Sequence, residues 1–287
     1  MSLPTDLALR DATLDDLPAI AALRESVGWG VAPWALRAVI GQPNALCLVT
    51  VDGDGAVAGV GSGIVYGPLG FVGNMIVAQA LRRRGVGSAI LEAVTQFLEA
   101  GGCTRLELNA TSEGRPLYER HGFISRGRSA TARIPRGADL APDLAVAVRR
   151  AKPADLDAIV AYDRPRFGGD RRVLLEILAN APEVTTLLAR ADGEIGGYAC
   201  VRTEESRIGP MLAETPAIAA TLLREAFALV PQTADIRLNL PPNNRPGEAW
   251  LAGLGVDVEP WDGRMGRGPE LPRRDETVYG MAIGALG

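Results

Sequence analysis

Val77-Ala78-Gln79-Ala80-Leu81-Arg82-Arg83-Arg84-Gly85-Val86-Gly87-Ser88-Ala89 decides how this chain folds. An uncharged run ends at Val77, three arginines follow, and Gly85 and Gly87 open a segment with the apolar spacing of a helix. Strand, glycine-bearing arginine turn, helix: that order gathers free backbone N–H groups and the positive end of a helix dipole at one point. A point of this kind binds phosphate.

The uncharged run upstream, residues 56–81, is long enough to cross a bilayer as a helix. Gly59, Gly61, Gly63, Gly67, Gly70 and Gly73 punctuate it, however, with Pro68 in the middle. Strands over 56–66 and 71–77, joined by Gly67-Pro68-Leu69-Gly70, account for those residues; a spanning helix does not. Before them, residues 46–51 read as a strand leading to the hairpin turn Asp52-Gly53-Asp54-Gly55. A short strand at 7–10 precedes a helix that Thr13 caps, with Asp15 and Asp16 in its first turn. Pro33 begins a second short helix.

Downstream, a helix over 86–100 carries Ile90, Leu91, Val94, Phe97 and Leu98 on its buried stripe, and Gly101-Gly102 ends it. In the strand 104–109, Leu106 and Leu108 share one face, Glu107 and Asn109 the other. Pro116 opens a short helix containing Tyr118, and strands at 123–126 and 130–134 close the first half.

The second half repeats the first. Leu9-Arg10-Asp11-Ala12 and Asp16-Leu17-Pro18-Ala19-Ile20 return as Val148-Arg149-Arg150-Ala151 and Asp155-Leu156-Asp157-Ala158-Ile159. The turn Asp54-Gly55-Ala56-Val57-Ala58-Gly59 returns as Asp192-Gly193-Glu194-Ile195-Gly196-Gly197, and Gly122-Phe123 as Gly255-Val256. Near-constant spacing across three landmarks indicates one α/β unit present twice. The expected organisation is a first domain over 1–136, a linker over 137–143 and a second domain over 144–287. The arginine turn does not return: its counterpart is Arg207-Ile208-Gly209-Pro210-Met211-Leu212-Ala213-Glu214, where Pro210 lacks an N–H, and Leu251 stands in the place of Tyr118.

Composition bounds the rest. The chain has 287 residues, 47% of them hydrophobic and 22% charged, as expected of a globular protein with room for two domains. A net charge of −4 lacks the basic footprint that nucleic-acid binding requires. Three scattered cysteines and one histidine assemble no familiar zinc site, so no metal is expected, and the sparse cysteines suit a reducing cytoplasm. No membrane partner is expected either.

With these residues in view, the chain resembles the GNAT acyltransferase superfamily, twice over. Arg82-Arg83-Arg84-Gly85-Val86-Gly87 meets the family's cofactor motif, Arg/Gln-x-x-Gly-x-Gly/Ala, and Leu117-Tyr118-Glu119-Arg120-His121-Gly122-Phe123 meets its Leu-Tyr-Glu-x-x-Gly-Phe pattern. The resemblance covers residues 5–134 well, and 144–287 through scaffold landmarks. It implies a mixed α/β sheet in two tandem domains, the second a degenerate copy. It also implies acetyl-coenzyme A as co-substrate, with an amine, small molecule or peptide, as acceptor, in a monomer or homodimer. The backbone at Met75, Ile76 and Val77 would pair with pantetheine, and the loop from Arg82 and Arg83 through Arg84, Gly85, Val86 and Gly87 to Ser88 would hold the pyrophosphate. The family often has Asn seven residues before the tyrosine; here Thr111 stands there, with Asn109 two residues earlier, and both are cofactor-binding candidates.

Acyl transfer to an amine needs a neutral nucleophile, a stabilised oxyanion and a proton for the departing sulfur. An aliphatic ammonium has a pKa of ~10.4, so a base or a water relay must deprotonate it. Glu107, a carboxylate on a strand facing the cleft, is the candidate base; the alternative is a solvated strand face. A backbone N–H near Gly73, where a bulge would open the strand, could serve the oxyanion. Tyr118, with a phenol pKa of ~10 against ~8.5 for a thiol, is protonated at rest and is the candidate acid, a role the resemblance also assigns to it. His121 reads as a helix-end residue. Trp29 and Trp34, in the loop 27–34, either line an apolar acceptor pocket or pack in the core. Three functions fit: an acetyl-coenzyme A-dependent N-acetyltransferase, a non-catalytic acyl-coenzyme A sensor, and a transferase of another acyl group or to a hydroxyl.

Overall fold

Gly61 and Gly63 show why the uncharged run is a hairpin. A Cβ at Gly61 would run into Ile90, and one at Gly63 into Val94 and Leu98, so these glycines let a helix lie directly on the sheet. The computed structural model describes residues 3–30, 33–142 and 145–287. Of the expected linker and second domain, Asp143 and Leu144 lie outside the described residues.

The chain forms two compact units, each drawn from separate segments. One holds Met1–Ile124 with Met265–Leu271 and Gly284–Leu286; the other holds Ser125–Arg264 with Pro272–Ile283 and Gly287, in each case within the described residues.

In the first unit β1 (Leu7–Asp11) leads to α1 (Leu17–Ser26) and α2 (Pro33–Arg37). There follow β2 (Ala45–Asp52), β3 (Val57–Tyr66), β4 (Leu69–Val77), α3 (Val86–Ala100), β5 (Arg105–Asn109), α4 (Arg115–Arg120) and β6 (Ile124–Ser125). β1 to β4 form an antiparallel meander, and β5 joins β4 in parallel. The α3 stripe of Val86, Ile90, Leu91, Val94 and Leu98 packs with Val72, Leu106 and Leu108 in one buried cluster. By alternation, Arg105, Glu107 and Asn109 point to the opposite sheet face.

The second unit holds β7 (Ser129–Ile134), β8 (Ala147–Arg150), α5 (Leu156–Phe167), α6 (Arg172–Asn180), β9 (Val184–Ala191) and β10 (Glu194–Arg202). β11 (Arg207–Ala213), α7 (Pro216–Phe227), β12 (Ile236–Leu240), α8 (Arg245–Gly253) and β13 (Asp257–Trp261) come next, then β15 (Val278–Gly280); β14 (Arg264–Arg267), between β13 and β15 in sequence, belongs to the first sheet. The repeat is visible at atomic level. Arg10 clasps Asp16 at 2.7 and 2.8 Å while Asp16 accepts from the Thr13 amide; Arg149, Asp155 and Lys152 repeat the arrangement.

One expectation is corrected. The strand expected over 130–134 does not close the first sheet: β7 pairs with β12 and β13 in the second. In the first sheet, whose order is β1-β2-β3-β4-β5-β14-β6, β14 lies between β5 and β6. Pairing between distant segments is set by packing rather than by local propensity, so the strand is legible in the sequence and its partner is not.

Candidate functional site

β4 and β5 pair only from Leu69 with Arg105 to Val72 with Leu108, although β4 runs on to Val77. The strands therefore part at Gly73 and Asn109, and beyond that point the backbone of residues 74–77 has its β5-facing edge unpaired in the ladder. On the other side, the register between β3 and β4 slips where Val60 faces Ile76 but Ser62 faces Gly73, which is a β-bulge. Asn74 sits in it with φ +53°, unusual for a residue with a Cβ. Its side chain is buried and pinned twice: Arg24 donates to Oδ1 at 2.6 Å, and its Nδ2 donates to Ser62 Oγ at 3.0 Å. Arg24 also donates to the Gly30 carbonyl, and its guanidinium stacks over Trp29 at 5.7 Å. The sequence reading missed this network. The signal available was an Asn following a Gly inside an otherwise apolar strand.

Past Val77 the arginine turn leads into α3. Arg83 adopts φ +62° and Gly85, the N-cap, φ +87°; no side chain caps the helix. The first-turn amides of Val86, Gly87 and Ser88 thus remain available to an anion at the positive end of a 15-residue helix. Gly87 is a close-approach position: a Cβ there would meet Leu117 of α4 and Val77 of β4. That closeness joins the end of β4, the start of α3 and the tyrosine helix. Two of the three arginine side chains are engaged elsewhere. Arg82 donates to the Val77 carbonyl at 3.1 Å and pairs with Glu113, while Arg84 pairs with Asp6. His121 caps the C-terminus of α4, with Nε2 3.5 Å from Ser88 Oγ.

Tyr118 is buried in the α3 cluster, edge-on to Phe123 at 6.1 Å. Burial pushes its hydroxyl pKa well above the usual phenol value, so the group stays protonated at any physiological pH. Thr111 is exposed and its hydroxyl accepts from the Gly114 amide at 3.1 Å, bracing the entry to α4. Met75 and Val77 are half-buried and Ile76 is buried. Trp29 is half-buried at the end of α1 and Trp34 is buried in α2; Val31 and Ala32, between them, lie outside the described residues. The cysteines are buried, with thiol pKa values pushed up to about 12 at Cys47 and about 11 at Cys103 and Cys200, which leaves them poor nucleophiles.

Glu107 corrects the picture of a carboxylate open to the cleft, and equally the picture of a solvated face. It is 0% exposed, and Arg105 Nε donates to it at 3.0 Å. The two side chains lie two residues apart on one strand face, so the pair forms within β5 itself. Asn109, next on that face, donates through Nδ2 to the Gly284 carbonyl at 2.8 Å, while its Oδ1 is buried without a hydrogen-bond partner among the described residues. An orphaned acceptor where two strands part fits an amide-bearing ligand such as pantetheine. Among the described residues no cluster of His, Cys, Asp and Glu is placed to hold a metal ion.

Comparison with known proteins addresses the same elements. The Acetyltransferase (GNAT) family matches residues 14–123, and the Acetyltransferase (GNAT) domain matches residues 159–280. The chain belongs to the GNAT acetyltransferases, in tandem. It is 26% identical over 226 residues to the uncharacterised N-acetyltransferase YitH of Bacillus subtilis, covering 78% of each chain. A Pyrococcus horikoshii protein classed as an acetyltransferase superposes with a TM-score of 0.79 over 100% of this chain and 98% of that chain, at 23% identity. A tandem GNAT protein from the clavulanic acid biosynthesis pathway superposes with a TM-score of 0.63, covering 92% of this chain and 99% of that chain at 15% identity. These structural likenesses are of fold.

The second GNAT unit repeats the parting of strands but fills it. β11 and β12 pair only at Arg207 with Arg237 and Ile208 with Leu238, so they separate at Gly209 and Asn239. There β15 pairs with Met211 and Leu212, along the edge that corresponds to Met75 and Ile76. Leu251, the counterpart of Tyr118, is buried on α8.

Proposed function

We propose that the first GNAT unit transfers an acetyl group from acetyl-coenzyme A to a primary amine by direct attack, with both reactants bound together. The observation that carries the reading is the parting of β4 from β5 at Gly73 and Asn109, with uncapped α3 amides at the far end of the free edge. Acetyl-coenzyme A supplies an activated thioester when bound. The amides of Val86, Gly87 and Ser88 hold the diphosphate, and the backbone of Met75, Ile76 and Val77 pairs with the pantetheine amides.

A backbone N–H at the Asn74 bulge, held by Arg24 and Ser62, faces the developing oxyanion; fixed donors of this kind act without reorganisation. Tyr118 gives its proton to the departing sulfur. Burial keeps it protonated at rest, so the proton is in place as the C–S bond breaks, and the phenolate left behind regains a proton from solvent. Glu107, closed in its pair with Arg105, receives the amine's proton through water rather than by contact. The acceptor is a small-molecule or peptide amine, and the free cysteines suit a reducing cytoplasm.

The test is calorimetric binding of acetyl-coenzyme A followed by thiol release with a panel of primary amines. Binding with turnover of at least one amine supports the proposal. Tight binding without turnover of any amine would point to an acyl-coenzyme A sensor.

A further inference from the structure

Residues Gly284–Leu286 belong to the first unit and sit where its central strands part. Val72 and Leu108 form the last rung of the β4–β5 ladder, so Gly73 and Asn109 are the first residues beyond it. Consecutive carbonyls of the segment meet those two residues. Gly284 accepts from Asn109 Nδ2 at 2.8 Å, and the Ala285 carbonyl lies so close to Gly73 that a Cβ there would run into it. Leu286 adds a third anchor, its carbonyl accepting from Tyr66 Oη at 3.0 Å, with its own side chain fully buried.

The second unit provides an internal comparison. Its strands part at Gly209 and Asn239, and residue Met281 occupies that mouth: its carbonyl abuts Gly209 and its amide donates to Asn239 O at 2.8 Å. There β15 also covers the adjoining edge at Met211 and Leu212. In the first unit the mouth is closed in the same manner, but no β-strand pairs with the corresponding edge among the described residues.

Resting on the cofactor placement proposed above, we infer that Gly284–Leu286 forms the end wall of the acyl pocket and restricts the first unit to short-chain acyl-coenzyme A. The order along the chain sets the direction. The diphosphate lies at residues 83–88 and pantetheine runs back along 77–75, so the acyl group points at Gly73 and Asn109. The wall stands there. An acetyl group ends before it, whereas a chain several methylenes longer meets the Gly284 and Ala285 carbonyls, in a segment held on either side by the Asn109 and Tyr66 hydrogen bonds to Gly284 and Leu286.

The test compares binding of coenzyme A, acetyl-coenzyme A and hexanoyl-coenzyme A by calorimetry, so no acceptor is needed. The wild-type chain is expected to bind hexanoyl-coenzyme A at least about tenfold more weakly than acetyl-coenzyme A, the scale on which a pocket resolves extra methylenes. A chain ending at Ile283 should bring the two within about threefold, a difference of well under 1 kcal/mol. Tyr66→Phe, which removes one anchor from an otherwise complete chain, should give an intermediate ratio and stands if the shortened chain fails to fold. Equal wild-type affinities, or discrimination unchanged in both variants, would overturn the wall. Absence of binding by coenzyme A itself would instead overturn the cofactor reading, and the wall with it.

Discussion

Arg105 Nε donates to Glu107 Oε1 at 3.0 Å, and both side chains are buried, at 1% and 0% exposure. Arg105 donates as well to the Gly268 carbonyl at 2.7 Å, tying β5 to the residues after β14. Breaking one half of a buried pair costs about 3–5 kcal/mol, because the remaining charge stays in a low-dielectric site. Glu107→Gln should therefore lower the unfolding temperature by several degrees, measured by calorimetry, whatever it does to catalysis. If Glu107 also takes the amine's proton through water, thiol release should fall in the folded protein at a temperature well below unfolding while acetyl-coenzyme A affinity stays at the wild-type value. Unchanged turnover would confine Glu107 to a structural role.

Tyr118→Phe separates chemistry from binding. The ring packs against Phe123 inside an apolar cluster, so removing the hydroxyl keeps the volume and leaves the fold intact. Loss of a positioned proton donor costs about a hundredfold or more in rate. Thiol release should drop by that order with acetyl-coenzyme A affinity unchanged. Because the Tyr118 pKa is raised, no loss of activity assignable to its ionisation should appear below the ordinary phenol titration at pH ~10. A rate that falls between pH 7 and 9 in wild type but not in Tyr118→Phe would contradict the raised pKa of the hydroxyl.

The two units should differ in ligand capacity. β15 already uses the β11 edge at Met211 and Leu212, and the second unit has no Arg-x-x-Gly-x-Gly turn before α7. Titration with acetyl-coenzyme A should saturate at one site per chain. Replacing Gly87 by Trp, which forces bulk between Val77 and Leu117, should abolish that site without exposing another. Two sites in the wild-type chain would show that β15 can be displaced.

The features legible in the sequence are local ones. The glycine hairpin, the arginine turn and α3 declare themselves within a few residues, because φ-permissive glycines and helical periodicity act over that range. The repeat is legible for the same reason, since Arg10 with Asp16 and Arg149 with Asp155 are short-range pairs. The fate of β7 is not, because its partners β12 and β13 lie about a hundred residues or more away in sequence and nothing local selects between sheets. Nor is the Arg24–Asn74–Ser62 network, whose members come from α1, β4 and β3 and share no motif. Glu107 falls between these cases. Alternation puts it on the face away from α3, and Arg105 on that same face is the clue to its pairing. The segment Gly284–Leu286 offers no clue, being three residues without charge whose role depends on carbonyls alone.

The clasp repeated in each unit should make the protein sensitive to acid. Asp16 accepts from Arg10 at 2.7 and 2.8 Å and from the Thr13 amide at 2.8 Å, and its pKa falls from the ordinary 3.8 to about 2, chiefly through the Arg10 hydrogen bonds. Asp155 is lowered too, by Arg149 first and then by the Lys152 amide. A carboxylate whose folded pKa is depressed contributes stability that is complete above its unfolded pKa and is lost as pH falls through the folded value. Stability should thus hold down to about pH 4 as far as Asp16 is concerned and decline from there towards pH 2, because protons then bind the unfolded chain more readily. Asp16→Asn removes the titrating group, so its unfolding midpoint should lie below wild type at pH 7 and converge with it as pH approaches 2. Parallel midpoint curves for the two proteins across that window would show that the clasp does not govern the acid limb.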